Sequence, residues 1–360
     1  MYLAVLGRQS KISLAELEAQ FDDVKKINDR VALFESDVKP EIARLGGSIK
    51  LAKKMNLKPL DFLAGLPEGK LTIGVSDYTD GTSKKLVTAE ALKMKKILVR
   101  HGRSVRIVEN KEAALSSATS LHNGLSGKNE RKVELIRAND EWYLVFGVQD
   151  IDAYVRRDQA RPARDAKVGM LPPKLAQILI NLCGRLPEGA RVLDPFCGTG
   201  VVLQEAALMG YKAYGTDIDA RMCDYSQKNM DYLGAKDYEI EVGDATNYEW
   251  EGKIDAVACE GYLGRPMSQI PSEIKLKTEM QECKAILFGF LRNLAKQIKA
   301  GTPVTVAMPA WLNAEGTYVR LGIDEIESMG YNVNNKSREG LLYFREGQIV
   351  ARDIIMLRKR

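Results

Sequence analysis

The feature that most constrains this chain is the heptapeptide Asp194-Pro195-Phe196-Cys197-Gly198-Thr199-Gly200, set between a short apolar strand, RVLD, and a helix opening at Val201. A small-residue turn joining a strand to a helix is the entry of a parallel β/α sheet, where backbone N–H groups at the helix start face a ligand. Downstream the same alternation continues: AYGTDI, then CDYSQKNMDYLG, then YEIEVGDA, then IDAVACE give three strand-plus-helix steps and a fourth strand. A long helix from about 273 follows, with Met280, Cys283, Ile286, Leu287, Phe290, Leu291, Leu294 and Ile298 at spacings of three and four. Strand TPVTVAMP, a helix over YVRLGIDEIESMG and final strands in LLYF and ARDIIML complete the expected α/β sheet.

The front of the chain has a different texture. YLAVLG, VALFES, LTIGVSDY and SVRIVE read as strands, and KVELIRA and EWYLVFGVQ as a hairpin turning at Asn139-Asp140. Helices are expected over LAELEAQF, with Ser10 or Ser13 as cap, over 38–56 with a break at Gly46-Gly47, and from 83, with Leu86, Ala89, Leu92 and Ile97 on its apolar side. The predicted organisation is an N-terminal α+β domain over 1–150, a polar Arg-rich linker over 151–165 and an α/β domain over 166–360.

Charge separates the same two halves. Residues 1–165 carry 29 basic and 23 acidic side chains, and 166–360 carry 24 and 25. The excess gathers in 84–106, where Lys84, Lys85, Lys93, Lys95, Lys96, Arg100, Arg103 and Arg106 face only Glu90. Such a patch attracts phosphate without regard to sequence, although a solvated helix face has the same composition. No uncharged apolar run is long enough to span a bilayer. The odd set Cys183, Cys197, Cys223, Cys259 and Cys283 contains no CxxC pair, and only His101 and His122 could join it in a metal site. No metal is expected, and the cysteine usage fits a reducing cytoplasm.

The chemistry is concentrated at three strand ends. Asp194 precedes the glycines, Asp217 closes the next strand, where a carboxylate can accept from both hydroxyls of a ribose, and Asp244 follows the third strand, placed for an adenine amino group. Any one of these acids could be a helix cap. An acid before the glycines would repel a pyrophosphate, so an adenosyl ligand with a cationic centre fits better than a dinucleotide.

DPFCGTG with Asp217 and Asp244 resembles the S-adenosylmethionine site of class I, amino-methylating methyltransferases. YLAVLGRQSKISLAELEAQF, RLGGSIKLAKKM, GVSDY and RRDQARPARDAKVGMLPPKLAQILINL extend the resemblance to the THUMP-domain tRNA guanine-N2-methyltransferases. It implies a Rossmann-like catalytic domain behind a ferredoxin-like, THUMP-like domain. It implies a cofactor held by Asp194, Phe196, Gly198, Thr199, Gly200, Asp217, Ile218, Asp244 and Ala245, with the segment around Pro172-Pro173 closing over it. It also implies tRNA as substrate, modified at the N2 of guanosine 10, with Lys84, Lys85, Lys93, Lys95, Lys96 and Arg100 as RNA contacts and a small activating protein as a candidate partner.

One stretch departs from that family's pattern. The fourth strand should end in Asp or Asn, Pro, Pro, Tyr or Phe, and here it runs into Glu260-Gly261-Tyr262-Leu263-Gly264-Arg265-Pro266. Guanine N2 is a weak nucleophile whose N–H groups need acceptors while an aromatic ring stacks the base. Glu260 and Tyr262 are the candidates for those roles. Three readings stay open: a working variant, a methyltransferase acting on another RNA or DNA atom (with Cys259 beside the loop), or a binding protein without turnover. Trp311 and Arg265 lie near the same edge and fit a base wall and a phosphate contact as well as a core and a solvated role.

Overall fold

Strand pairing organises both halves of the chain. The computed structural model describes residues 1–165, 170–335 and 340–360. It divides into two units, Met1–Ala153 and Tyr154–Arg360. In the first, the strands are β1 (Tyr2–Leu6), β2 (Asp22–Lys26), β3 (Val31–Glu35), β4 (Ser48–Lys54), β5 (Leu71–Asp77), β6 (Val105–Ile107), β7 (Lys132–Ala138) and β8 (Glu141–Val148). They form one mixed sheet in the order β2-β3-β1-β4-β8-β7-β5-β6. Helices α1 (Ser10–Gln20), α2 (Pro59–Ala64), α3 (Lys84–Arg100) and α4 (Ser117–His122) complete an α+β unit. The β7–β8 hairpin turns on Asn139 and Asp140, at φ 50° and 59°, the left-handed pair that a two-residue turn requires.

Two expectations fail in this unit. Residues 38–56 do not form a helix: beyond a short 3-10 turn at Ile42–Arg44 the chain enters β4, which is paired on both edges, to β1 and to β8. Gly46 and Gly47 do not break a helix but give their N–H groups to the buried Glu16 carboxylate at 2.9 and 2.8 Å, so tertiary pairing overrides local helix preference. In α3 the packed face is Val87, Ala91, Met94 and Leu98, while Leu86 and Leu92 are exposed. The sequence offers two overlapping apolar stripes, and the core formed by Leu71, Ile73, Val75 and Val105 selects the other one. Helix α1 is also uncapped by a side chain; Ser13 Oγ donates instead to the Gln9 carbonyl, 3.0 Å away.

Helix α5 (Ile151–Gln159) occupies much of the segment read as a linker, opening where the Asp150 carboxylate accepts from the Ala153 N–H. The second unit continues through α6 (Pro173–Asn181), β9 (Arg191–Asp194), α7 (Val201–Leu208), β10 (Lys212–Asp217), α8 (Ala220–Leu233), β11 (Tyr238–Val242), β12 (Ala256–Glu260) and α9 (Glu273–Ala295). It ends with β13 (Pro303–Leu312), β14 (Tyr318–Arg320), β15 (Tyr331–Val333), β16 (Leu342–Tyr343) and β17 (Val350–Lys359). The strand order is β11-β10-β9-β12-β13-β17-β15, parallel through β13 and antiparallel at β17 and β15. This is a Rossmann-like sheet. The predicted helix over 318–330 is absent: Tyr318–Arg320 pairs with Ala310–Leu312 as β14, and a short 3-10 turn at Glu327–Met329 is what remains.

Beneath the sheet, Leu287, Phe288, Phe290, Leu291 and Leu294 of α9 pack with Val257, Val304, Val306 and Ile355 in one apolar cluster. On α6, every residue from Leu175 to Asn181 is buried. The chain leaves β9 toward β10 and leaves β12 toward β13 on the opposite side, so the order reverses between β9 and β12. A crevice opens at the carboxyl ends of strands where the order reverses. Among the described residues no helix is long and apolar enough to cross a membrane.

Candidate functional site

The turn after β9 is held from two sides. Cys197 donates its N–H to the Thr216 carbonyl at 2.9 Å, and Gly200 donates to the Cys197 carbonyl at 2.7 Å. From α8, Ser226 Oγ donates to the Gly198 carbonyl at 2.9 Å and Asn229 Nδ2 to the Thr199 carbonyl at 2.8 Å. Gly198 and Gly200 adopt φ of 50° and 79°, where a side chain is strained. Their surroundings differ. A Cβ on Gly200 would sit 2.8 Å from Ser226 Oγ, whereas one on Gly198 would meet nothing nearer than the Phe196 carbonyl at 3.9 Å. Gly200 is therefore needed for packing, and Gly198 leaves open space beside the turn.

Burial raises three carboxylates at the strand ends, Asp194, Asp217 and Glu260. Asp194 is buried, and its Oδ1 accepts from the Phe196 N–H at 3.1 Å. Burial holds its carboxyl well above the usual carboxylate range, the Phe196 hydrogen bond opposes that, and the charges of Asp217 and Glu260 add to it. Asp217 accepts from Gly198 N at 2.9 Å and from Asp219 N at 3.0 Å, and burial again pushes its carboxyl up. Each of its oxygens retains a lone pair for a hydroxyl donor. The next residue, Ile218, is 71% exposed, an apolar side chain left beside an acid.

Asp244 follows β11, where the Gly243 N–H donates to the Asp217 carbonyl at 2.9 Å and ties the second and third strand ends together. Its Oδ1 accepts from Thr246 N at 2.9 Å and Thr246 Oγ1 at 2.8 Å. Ala245 is buried, and Phe196 lies edge-on against Phe290 with ring centres 5.2 Å apart. The crevice is thus acidic, with apolar surface beside the acids. A ligand with a positive centre would offset the burial, and the added Asp217 and Glu260 charges, that raise Asp194.

Glu260, at the end of β12, receives a 2.6 Å hydrogen bond from Arg352 Nε. Register explains the pairing: Glu260 is opposite Ala307 on β13, and Arg352 on β17 is opposite Pro309, so the guanidinium reaches across one intervening strand. Burial raises the Glu260 carboxyl and Arg352 pulls it back. Tyr262 is half-buried on the α9 cluster. Trp311 is fully buried with no hydrogen-bond partner for its Nε1 among the described residues, and a Cβ on Gly264 would lie 3.9 Å from that nitrogen. Trp311 therefore backs the loop after β12 and is also core. Arg265 pairs with Glu282 at 3.2 Å. Cys259 is fully buried with its thiol pushed well up, an environment for packing and not for a nucleophile.

Residues that the motif did not reveal complete the surroundings. Arg157 Nε lies 2.7 Å from Glu205 on α7, and Arg161, itself buried, reaches Thr199 Oγ1 at 3.4 Å. Asn229 has no sequence signal. Arg352-Asp353 does have one, a charged pair inside an otherwise apolar strand, which is costly unless partnered. In the first unit, Lys84, Lys85, Lys93, Lys96 and Arg100 are exposed along α3 and Lys95 is half-buried; Lys84 lies 3.8 Å from Glu109. These cations spread over the outward side of one helix.

Comparison with known proteins matches residues 161–289 to the family described as RMKL-like, methyltransferase domain. The tRNA (guanine(10)-N2)-dimethyltransferase of Methanothermobacter thermautotrophicus is 33% identical over 160 residues, 44% of this chain and 45% of that protein. The enzyme of the same name from Pyrococcus abyssi is 49% identical over 97 residues, 26% of this chain and 29% of its own. The matched stretch thus spans less than half the length of either relative. Among solved structures, TrmN from Thermus thermophilus is 19% identical over 100% of this chain and 99% of its own, with a TM-score of 0.48.

Proposed function

We propose that this chain is an S-adenosylmethionine-dependent tRNA methyltransferase acting on the exocyclic amine of a guanosine, position 10 by analogy with the relatives' names. The observation that carries the reading is the set of carboxylates gathered where the strand order reverses: burial raises Asp194, Asp217 and Glu260, and at Asp194 the charges of the other two add to it. The similarity to two guanine(10)-N2-dimethyltransferases supports the substrate class. In this reading tRNA is bound by a THUMP-like N-terminal unit through Lys84, Lys85, Lys93, Lys95, Lys96 and Arg100, in the cytoplasm.

The residues present fit the cofactor. Asp217 would accept from the ribose hydroxyls and Asp244 from the adenine amine. Phe196, Ile218 and Ala245 would supply apolar walls, and Asp194 with Gly198, Thr199 and Gly200 would hold the methionyl end. When bound, S-adenosylmethionine supplies an electrophilic methyl group on a cationic sulfur. The protein's task is then to present the amine. Glu260, paired with Arg352, accepts an N–H from the amine through its second oxygen and takes the proton that methylation releases, while Tyr262 stacks the flipped base.

Replacing Asp217 by Ala removes charge-assisted hydrogen bonds worth about 1.5–3 kcal/mol. Affinity for S-adenosylmethionine in calorimetry should therefore fall about ten- to a hundred-fold, and an unchanged affinity would remove the cofactor assignment. One observation favours a second reading: Glu260 Oε1 is already engaged by Arg352, as in a purely structural ion pair. On that reading the chain binds cofactor and RNA without turnover.

A further inference from the structure

Residues 161–165 lie against the glycine turn and α8 as an extended strap. Arg161, Ala163 and Asp165 are buried, and Pro162 and Arg164 between them are exposed, the alternation of a chain with one face down. Asn229 on α8, itself fully buried, locks the register. Its Oδ1 accepts from the Ala163 N–H at 3.1 Å, and its Nδ2 donates to the Ala163 carbonyl at 2.9 Å as well as to the Thr199 carbonyl. Arg221, also on α8, pairs with Asp165 at 3.2 Å. Arg161, two residues before Ala163 on the same face, is thereby delivered to the turn, where its Nη1 donates to Thr199 Oγ1 at 3.4 Å.

Arg161 is a buried cation whose donors are poorly used. Its side chain is 1% exposed, the Asp158 carboxylate stands 3.7 Å away, Nη2 donates to the Met170 thioether at 3.3 Å, and Nε has no hydrogen-bond partner among the described residues. Glu205, the other acid near it, is taken by Arg157 at 2.7 Å. Burying a guanidinium is costly unless its donors are satisfied. Here they meet a weak sulfur acceptor, a neutral hydroxyl and one acid at the limit of ion-pair range. The contact has a use at the hydroxyl: because Thr199 Oγ1 accepts from Arg161, its own proton is left to donate, and Gly198 beside it leaves open space.

The strand-end acids account for only part of the proposed ligand. The methionyl end of S-adenosylmethionine carries an amine and a carboxylate. Asp194, Asp217, Asp244 and Glu260 suit the cationic groups and repel the carboxylate. We propose that Arg161 is a positioning residue for that carboxylate, holding the Thr199 hydroxyl as a donor toward it and setting a buried positive charge behind that hydroxyl. The ligand meets Thr199, and the guanidinium stays beneath the surface. Asn229 fixes both ends of the contact, the strap through Ala163 and the turn through the Thr199 carbonyl.

This role rests on the S-adenosylmethionine reading, and the test separates the two by comparing S-adenosylmethionine with decarboxylated S-adenosylmethionine in calorimetry on the full chain. The analogue keeps the sulfonium and the amine and lacks the carboxylate, so it carries one more net positive charge. A site made of acids alone would bind it at least as tightly. The parent should instead bind S-adenosylmethionine more tightly by about tenfold or more, the worth of a charge-assisted hydrogen bond. In Arg161→Met, an unbranched apolar replacement for a buried position, that preference should fall toward unity, because affinity for S-adenosylmethionine drops while affinity for the analogue holds. Thr199→Val, which leaves the strap's contacts with Asn229 in place, should give the same narrowing and serves if Arg161→Met does not fold. A parent without the preference, or variants that weaken both ligands by the same factor, as loss of a purely structural cation would, overturns the proposal. A parent that binds neither ligand overturns the cofactor reading instead.

Discussion

Asp194, proposed above to hold the cofactor, is set against stability. Its carboxyl is raised above its unfolded value because folding buries it beside Asp217 and Glu260. The folded state therefore holds a proton that the unfolded chain releases, so this contribution is present at low pH and is lost as pH rises through the folded value. Asn keeps an acceptor for the Phe196 N–H and removes the charge. Asp194→Asn should therefore melt a few degrees higher than the parent at pH 8, with the gap closing toward pH 4, while S-adenosylmethionine affinity falls. Thermal melts at the two pH values check it, and a variant less stable at pH 8 contradicts the electrostatic account. The three strand-end acids were legible because the glycine turn fixes where strands end. The charge of Arg352 inside an apolar strand signalled a buried partner, but its pairing with Glu260 was not legible, since nothing local says which strand will lie two places from β12.

At the scale of elements, the sequence disclosed what local periodicity controls and missed what pairing controls. The alternating strands and helices from β9 to β12 and the long α9 came through, because each buries a face set by its own spacing. The stretch 38–56 misled because β4 is a central strand whose identity depends on β1 and β8, distant in sequence. Helix α3 was found but turned to the wrong face, its two apolar stripes being equivalent until β5 and β6 lie beneath one of them. The corrected face makes an unequal prediction. Met94→Ala, at a buried position, should cost about 2–5 kcal/mol. Leu92→Ala, at a position 52% exposed, should cost less than about 0.5 kcal/mol. Denaturant unfolding of the two variants separates them, and equal costs would return the helix to the other face.

Across the whole molecule, charge and chemistry are divided between the units: exposed cations line one helix of the first, and the acidic crevice belongs to the second. If α3 docks on RNA phosphates, reversing Lys93, Lys95 and Lys96 to Glu should weaken tRNA binding. It should also lower the slope of log affinity against log salt by about 0.7–0.9 for each phosphate that is no longer neutralised. Binding titrations at several salt concentrations measure both, and an unchanged slope makes the helix a solvated surface. The central claim is most directly tested by transfer of labelled methyl from S-adenosylmethionine to unmodified tRNA, with the product nucleoside identified by mass spectrometry. N2-methylguanosine or N2,N2-dimethylguanosine, lost in Glu260→Gln, is the result the account predicts. A different methylated nucleoside, or no transfer by protein that binds both cofactor and tRNA, would contradict it.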